Sequence, residues 1–213
     1  MEHKRFVSQK YRGEYLDYLY HKPANATGKL PLVLHLHGAG SRGNDLSLMK
    51  DQAVTEELKN GRNIPAVVVV PQCHADSWFD LFHVLTEFSD TFRHAEDVDI
   101  DRVYLTGLSM GGYGAWQLLL SHPDWFACAA VCCGGGMYWN AARLKDIPIR
   151  AFHGALDTTV FPEESKKMVD AVNLQGGHAE LIVYENNGHD SWEPAFRDDR
   201  TWEWMFKQKR KNP

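Results

Sequence analysis

A Gly-x-Ser-x-Gly pattern from Gly107 to Gly111 places the hydroxyl of Ser109 between two glycines. The pattern follows a strand-like apolar run, 102–106, and precedes a helical pattern that begins at Gly112. A nucleophile elbow needs this strand-turn-helix context, because the strained turn brings neighbouring backbone so close that only glycine fits at both flanks. We therefore predict that Ser109 is a nucleophile. The alternative, a serine that only caps the following helix, explains the hydroxyl but not both glycines.

A serine hydroxyl is a weak nucleophile and needs a general base, for which the later histidines are the candidates. His189 comes directly after the last predicted strand, at the carboxyl edge of the sheet where Ser109 also emerges. His153 lies inside a strand pattern, and His178 lies in a helix-to-strand turn at the wrong edge. We predict that His189 is the base, with an ordinary loop histidine as the alternative.

The base needs a carboxylate that fixes its tautomer, and that carboxylate is expected after the preceding strand. Asp157 follows the predicted strand 147–153 within the segment Gly-Ala-Leu-Asp-Thr. Asp190 is adjacent to His189 in the sequence, which is a poor geometry for reaching the Nδ1 atom of that ring. We predict that Asp157 is the acid. The alternative is an aspartate that only caps a turn or a helix.

Acyl transfer also needs hydrogen-bond donors aimed at the developing oxyanion. The N–H of Met110 is one predicted donor, because it lies at a helix N-terminus where the dipole favours negative charge. The second donor is expected in the loop after an early strand, at Ala39, with Gly40 as the fallback. The nearby pair His35 and His37 could bind a metal in another fold, but no matching ligand set follows, so no metal site is predicted.

The elements that must position these residues alternate between β-rich runs and helical patterns, which is typical of strand-helix-strand units around a parallel sheet. Strands are predicted at 14–21, 31–36, 66–70, 102–106, 126–133, 147–153 and 179–184, the first as an antiparallel edge strand. Helices are predicted at 81–94, 112–121 and 192–208, and from Pro162 to a stop at Gly176. The expected fold class is α/β, a mostly parallel, doubly wound sheet with helices on both faces, in a single domain over 1–213.

The predicted site has no room for a cover, because only ten residues separate Gly136 from Ile147, too few for a folded lid. An open, shallow site favours short acyl groups or accessible aryl esters over long lipid chains. Five aromatic residues in loops at the carboxyl edge are candidates for the substrate pocket, although for any one of them packing against the core is favoured, because aromatic residues bury large areas. They are Trp78, Phe79, Trp139, Phe161 and Trp192.

The composition excludes several classes of protein. Of the 213 residues, 44% are hydrophobic and 24% charged, which is the balance of a globular chain and not of a disordered one. No apolar run approaches the roughly 20 residues that span a bilayer, and no secretory signal is visible, so a cytoplasmic protein is expected. The net charge of −5 argues against a nucleic-acid partner, and the basic cluster 207–211 is interpreted as a solvated helix end. The cysteines lack metal-type spacing and are expected to be buried reduced thiols: Cys73, Cys128, Cys132 and Cys133.

The motifs resemble those of the α/β-hydrolases, specifically the small bacterial carboxylesterases related to phospholipase/carboxylesterase, dienelactone-hydrolase and polyhydroxybutyrate-depolymerase-like esterases, often labelled predicted peptidases. The resemblance implies the α/β-hydrolase fold without a cap domain, and serine ester hydrolysis through an acyl-enzyme. Ser41 departs from the family pattern, which usually has a glutamate before Arg42 and Gly43, and this changes the wall of the oxyanion loop. The matching segments follow the family's order over nearly the whole chain: 36–43, 70–73, 101–114, 133–136, 152–157 and 188–192.

The predicted function is that of a serine carboxylesterase acting on short-chain or aryl carboxylic esters. A peptidase or amidase, or a thioesterase, on the same three residues is the alternative. A non-catalytic binding module on a hydrolase scaffold is a weaker alternative, because such a module has no physical need of Ser109, Asp157 and His189 together. The expected partner is a small-molecule ester, with no cofactor, no nucleic acid and no membrane.

Overall fold

One mixed β-sheet organises the molecule. The computed structural model describes residues 1–24 and 26–210, and within this part eight strands pair in the order β1-β2-β4-β3-β5-β6-β7-β8. The strands β3 to β8 are parallel to one another, whereas β1 and β2 form an antiparallel hairpin whose second strand pairs antiparallel with β4. The strands are β1 Glu2–Val7, β2 Tyr15–His21, β3 Leu30–Leu36, β4 Val67–Pro71, β5 Val98–Leu108, β6 Cys128–Cys132, β7 Ile149–Gly154 and β8 Ala179–Tyr184.

Helices cover both faces of the sheet, as the doubly wound prediction required. They are α1 Ala53–Lys59, α2 Phe82–Arg93, α3 Met110–Ser121, α4 Pro162–Leu174, α5 Trp192–Arg197 and α6 Asp199–Lys207. In the fully buried strand β4, Val67 and Val69 pack into the apolar cluster beneath α2, α3 and α4, while Val68 and Val70 pack into the cluster beneath α1, α5 and α6. A strand that is apolar on both sides is buried between two layers of helices, and this accounts for the continuous valine run.

The register brings four strand ends to one edge of the sheet. Leu108 at the end of β5 pairs with Cys132 at the end of β6, and Gly154 at the end of β7 pairs with Tyr184 at the end of β8. Ligand-binding loops of open parallel sheets follow the carboxyl ends of the strands. The segments after β5, β7 and β8, which contain the predicted nucleophile, acid and base, therefore begin side by side.

The structure differs from the sequence prediction at three elements. Strand β1 and the short helix α1 were not predicted, because most side chains of β1 are exposed and α1 has only seven residues, too few for a clear period. The predicted closing helix 192–208 is two helices, since Asp198 adopts an extended conformation and its side chain accepts a hydrogen bond from the N–H of Arg200 to cap α6.

The segment after β6 forms a seven-residue 3₁₀ turn, Tyr138–Leu144, and no cap domain is present in the described residues. None of the helices described is both long enough and apolar enough to cross a bilayer. All four cysteines are buried free thiols, as predicted. The last residue of the basic cluster, Lys211, lies outside the described residues.

Candidate active site

Ser109 occupies the sharp turn between β5 and α3. Its backbone has φ 53° and ψ −120°, a strained conformation for a residue with a side chain. Close packing explains the two glycines of the motif. A Cβ atom on Gly107 would lie 2.3 Å from the carbonyl oxygen of Gly111, and one on Gly111 would lie 2.0 Å from that of Leu36. The steric reason that the sequence suggested for this motif is therefore present in the structure.

A continuous chain of hydrogen bonds joins Ser109, His189 and Asp157. The Nε2 atom of His189 lies 2.8 Å from the hydroxyl oxygen of Ser109, and its Nδ1 atom lies 2.7 Å from Oδ2 of Asp157. A carboxylate can only accept, so Nδ1 carries the proton and Nε2 is free to accept the hydroxyl proton of Ser109. The three side chains come from the segments after β5, β8 and β7 and meet as the sequence predicted.

The carboxylate of Asp157 is held on both of its oxygens. Oδ1 accepts the backbone N–H groups of Thr159 at 2.9 Å and Val160 at 3.0 Å, while Oδ2 accepts from His189. Burial by itself would raise the pKa of Asp157, but these hydrogen bonds outweigh it and hold the pKa below the ordinary value. The side chain is therefore an anion at neutral pH next to the imidazole of His189.

The two predicted oxyanion donors, Met110 and Ala39, belong to the two segments next to Ser109. Met110 begins α3, and Ala39 begins a 3₁₀ turn after β3, so both belong to first turns whose N–H groups have no intrahelical partner. The loop after β3 lies against the serine, because a Cβ atom on Gly38 would be 3.4 Å from Cβ of Ser109. Gly40 lies in the middle of the same turn, one residue farther from β3.

Buried polar contacts hold this loop in place. The backbone N–H of Cys73 donates to Nε2 of His37 at 2.9 Å, so the Nδ1–H of His37 donates to the carbonyl of Gly38 at 2.6 Å. Burial lowers the pKa of His37 to about 4 and that of His35 to about 3, so both rings are neutral. Both ring nitrogens of His37 are hydrogen-bonded to backbone groups, so this side chain fixes the position of the loop.

The residue that departs from the family pattern, Ser41, contacts the segment around Leu48. Its side chain is buried and donates to the carbonyl of Leu48 at 2.9 Å, while its own carbonyl accepts from Nε2 of Gln72 at 2.9 Å. The next residue, Arg42, donates from Nε to the carbonyl of Ala39 at 3.0 Å. Ser41 therefore joins the loop after β3 to the segment around Leu48.

The five aromatic pocket candidates divide into three kinds. Trp78 has no exposed surface, and its indole N–H donates to the carbonyl of His37 at 3.0 Å, so it packs in the core and is wrong as a pocket candidate. Trp192 packs edge-on against the ring of His189, with ring centroids 5.6 Å apart. The other three are 53%, 72% and 62% exposed in loops that follow β4, β6 and β7: Phe79, Trp139 and Phe161.

Cys133 is a residue at this site that sequence reasoning missed. It follows β6 with φ 39°, and its sulfur lies within 4.8 Å of ligand atoms of both Asp157 and His189. These three residues could hold a metal ion, but an ion would have to replace the hydrogen bond between Asp157 and His189. Burial raises the pKa of the Cys133 thiol to about 12, so the sulfur is a neutral neighbour of the site. Its only signal in the sequence is its place before the three glycines 134–136.

Comparisons with known proteins find similarity to several hydrolases. Residues 136–209 match the model of the prolyl oligopeptidase family. The bifunctional acetylxylan esterase/xylanase XynS20E of Neocallimastix patriciarum is 26% identical over 141 residues, covering 63% of this chain and 20% of the relative. A solved thermostable esterase is 30% identical over 98% of this chain and 63% of its own, with a TM-score of 0.81. Est1E from Butyrivibrio proteoclasticus has a TM-score of 0.74 at 15% identity, over 96% of this chain and 98% of its own.

This chain thus spans about a fifth of the curated relative and less than two thirds of the thermostable esterase. Within that shared part, the similarity confirms the fold class and the resemblance predicted from the sequence motifs.

Proposed function

We propose that this chain, which has the α/β-hydrolase fold, is a serine carboxylesterase that acts through an acyl-enzyme. The observation that carries the proposal is the hydrogen-bonded chain from Ser109 through His189 to Asp157. Met110 and Ala39, whose N–H groups belong to first turns, lie in the two segments next to this serine. This is the set of groups that acyl transfer needs: a nucleophile, a base, a group that fixes the base and donors for an oxyanion.

In the first half-reaction, Nε2 of His189 accepts the hydroxyl proton as Oγ of Ser109 bonds to the ester carbonyl carbon. The carbonyl oxygen becomes an oxyanion that accepts from the N–H groups of Met110 and Ala39. When the carbon–oxygen bond to the alcohol breaks, the imidazolium returns its proton to the leaving alcohol and the acyl group stays on Ser109.

In the second half-reaction, water replaces the alcohol and is deprotonated by His189. Its oxygen bonds to the acyl carbon, the bond to Ser109 breaks, and the serine oxygen recovers the proton while the carboxylic acid leaves. Asp157 stays ionised throughout and stabilises the imidazolium in each half-reaction.

The proposed substrates are esters with short acyl groups or with aryl groups. No cap domain is present in the described residues, and Phe79, Trp139 and Phe161 are exposed in segments that follow β4, β6 and β7, at the edge of the sheet where Ser109 lies. The acetylxylan esterase among the relatives, named for removing a two-carbon acyl group, supports the same size of acyl group.

Covalent labelling tests the nucleophile. A fluorophosphonate probe should label the wild-type chain and Ser121→Ala equally, because Ser121 lies at the far end of α3, and should not label Ser109→Ala. Equal labelling of Ser109→Ala, or none of the wild type, would remove covalent catalysis from the proposal.

A series of nitrophenyl esters tests the substrate class. We expect kcat/KM to be highest for short acyl groups and to fall beyond about eight to ten carbons. Trp139→Ala and Phe161→Ala should raise KM for bulky aryl esters and leave hydrolysis of the acetate ester unchanged. Activity that rises with chain length would contradict the proposed substrates, and unchanged KM values in both variants would remove these aromatics from the pocket.

A second candidate function, amide or peptide hydrolysis, is favoured by one finding. The match to the prolyl oligopeptidase family covers residues 136–209, which include Asp157 and His189. Amide cleavage demands stronger protonation of the leaving group by His189 than ester cleavage does. An ester and an anilide with the same acyl group distinguish the two functions. The esterase proposal expects hydrolysis of the ester without detectable hydrolysis of the anilide, whereas anilide hydrolysis that is lost in Ser109→Ala would support the second function.

A further inference from the structure

His153 is a buried histidine for which the proposed mechanism has no use. It is the penultimate residue of β7 and is 0% exposed. Its Nε2 atom lies 2.9 Å from the carbonyl oxygen of Val160 and 3.3 Å from Oδ2 of Asp157, and its Nδ1 atom lies 2.7 Å from the hydroxyl of Ser165. The ring thus joins the acid of the site to helix α4.

The neighbours of His153 determine where its proton lies. The carbonyl of Val160 and the carboxylate of Asp157 can only accept hydrogen bonds, so Nε2 must carry a proton. On the other side of the ring, the hydroxyl of Ser165 lies between Nδ1 and the carbonyl of Gly134, which is 2.9 Å away. His153 therefore carries a proton on Nε2 whichever partner takes the hydroxyl proton of Ser165. That N–H donates to the carbonyl of Val160, and its nitrogen lies 3.3 Å from Oδ2 of Asp157.

Oδ2 of Asp157 consequently lies between two imidazole rings. Nδ1 of His189 is 2.7 Å away on one side, and Nε2 of His153 is 3.3 Å away on the other. The two backbone N–H groups of Thr159 and Val160 fix only Oδ1. Without His153, the carbonyl of Val160 loses its donor and Oδ2 of Asp157 keeps only its contact with His189.

We propose that His153 is a positioning residue for Asp157. Its Nε2–H fixes the carbonyl of Val160, whose own N–H holds Oδ1 of Asp157, and its ring lies against Oδ2, so that Oδ2 stays in the orientation that accepts the Nδ1–H of His189. The inference rests on the proposed function for its catalytic consequence, but the hydrogen bond that it concerns exists without substrate. His153 does not reach the ester, because Asp157 and His189 separate it from Ser109. Its effect is therefore on the rate of the chemical step and not on substrate binding.

Paired substitutions separate this role from simple core packing. His153→Leu keeps a buried side chain but removes both ring nitrogens, and we expect kcat to fall about tenfold with KM unchanged. His153→Gln retains an N–H donor near the position of Nε2 and should recover most of the lost kcat. A packing role predicts the opposite order, because the apolar leucine suits a buried site better than the polar glutamine.

Two further variants distinguish a positioning effect from loss of the folded structure. His35→Leu changes an equally buried histidine whose Nδ1 atom contacts Thr106 and not Asp157, so it reports the general cost of removing a buried imidazole. We expect it to lower thermal stability and leave kcat unchanged. Ser165→Ala leaves Nδ1 of His153 without its partner, keeps the ring in place, and should lower kcat by about threefold.

The decisive measurement is the proton NMR signal of the Nδ1–H of His189, which a hydrogen bond to a carboxylate shifts strongly downfield. In histidine-labelled protein without substrate, we expect this signal to move or broaden in His153→Leu, to return in His153→Gln, and to be unchanged in His35→Leu. An unchanged signal in folded His153→Leu, or equal kcat in His153→Leu and the wild type, would overturn the inference. If the NMR signal changed in the three variants as expected but the wild-type chain had no esterase activity, the proposed function would be contradicted and the positioning role of His153 would stand.

Discussion

Gly154, at the end of β7, is the position where one added methyl group tests how the base is placed. A Cβ atom there would lie 2.1 Å from the carbonyl oxygen of Gly188 and 2.4 Å from that of Asn187. Non-bonded heavy atoms pack at about 3.5 Å, so Gly154→Ala must push residues 187–188 away by about 1 Å or more. The next residue is His189, which moves with them.

The size of the effect follows from the distances at that imidazole. His189 makes hydrogen bonds of 2.7 Å to Asp157 and 2.8 Å to Ser109, and a displacement of about 1 Å takes both beyond hydrogen-bond range. Misplacement of this size costs on the order of a hundredfold in rate, or about 2.7 kcal/mol of activation free energy. The overpacked site should also lower the free energy of unfolding by about 1–3 kcal/mol.

Gly188→Ala is the matched control, because it adds the same methyl group to the loop of the base where there is room. A Cβ atom on Gly188 would have its nearest contact at 3.9 Å, with the carbonyl oxygen of Leu156. Steady-state hydrolysis of nitrophenyl acetate gives kcat, and circular dichroism on heating shows that each variant is folded. We expect kcat of Gly188→Ala to stay within about threefold of the wild type. If folded Gly154→Ala did the same, the close approach at Gly154 would not be what positions the base.

Three further predictions concern the acid, the oxyanion loop and the attachment of the first hairpin. Burial alone would raise the pKa of Asp157, but its hydrogen bonds hold the pKa below the unfolded value of about 3.9. The ionised carboxylate therefore stabilises the folded state above that pH. This stabilisation is lost as the pH falls through the pKa of the folded state. In urea unfolding, the stability difference between wild type and Asp157→Asn should therefore shrink from pH 7 to pH 3, and a constant difference would contradict this. Arg42 donates to the carbonyl of Ala39 at 3.0 Å, so Arg42→Met should lower kcat about tenfold with an unchanged melting temperature; a loss of stability without a loss of kcat would show a purely structural role. The buried carboxylate of Glu87 accepts from the hydroxyl of Ser8, so Glu87→Ala should cost about 2 kcal/mol of unfolding free energy while kcat is unchanged; a stability equal to wild type would show that this contact contributes nothing.

The fold was predictable where the hydrophobic period is strong and local. The run of four valines at 67–70 and the strand 179–184 fall within a residue of their predicted bounds. The exposed strand β1 has no apolar period of its own, because it is stabilised by pairing with β2 at the edge of the sheet. The break at Asp198 was missed for a related reason: the side-chain cap that separates α5 from α6 competes with an amphipathic pattern that continues across it.

The positions of the reactive groups were easier to predict than the pocket around them. Chain order and the strand ends determine which side chains can meet Ser109, and both can be read from the sequence. Whether an aromatic residue in a loop points inwards or outwards depends on loop conformation. Trp78 and Trp139 were therefore equivalent as sequence candidates, yet one has no exposed surface and the other is 72% exposed.

One structural feature explains why the reactive groups could be predicted and the aromatic residues could not. The loops of the site meet through backbone contacts at glycines, with Gly111 against the carbonyl of Leu36 and Gly154 against that of Gly188. Backbone contacts at the edge of a buried sheet place the nucleophile and the base without help from the side chains that face the substrate. Exposed aromatics such as Trp139 and Phe161 are then free to differ without moving the reactive atoms. Substitutions at the glycines should accordingly change kcat, because the glycines position the reactive atoms. Substitutions at the exposed aromatics should change KM, because these side chains would contact the substrate.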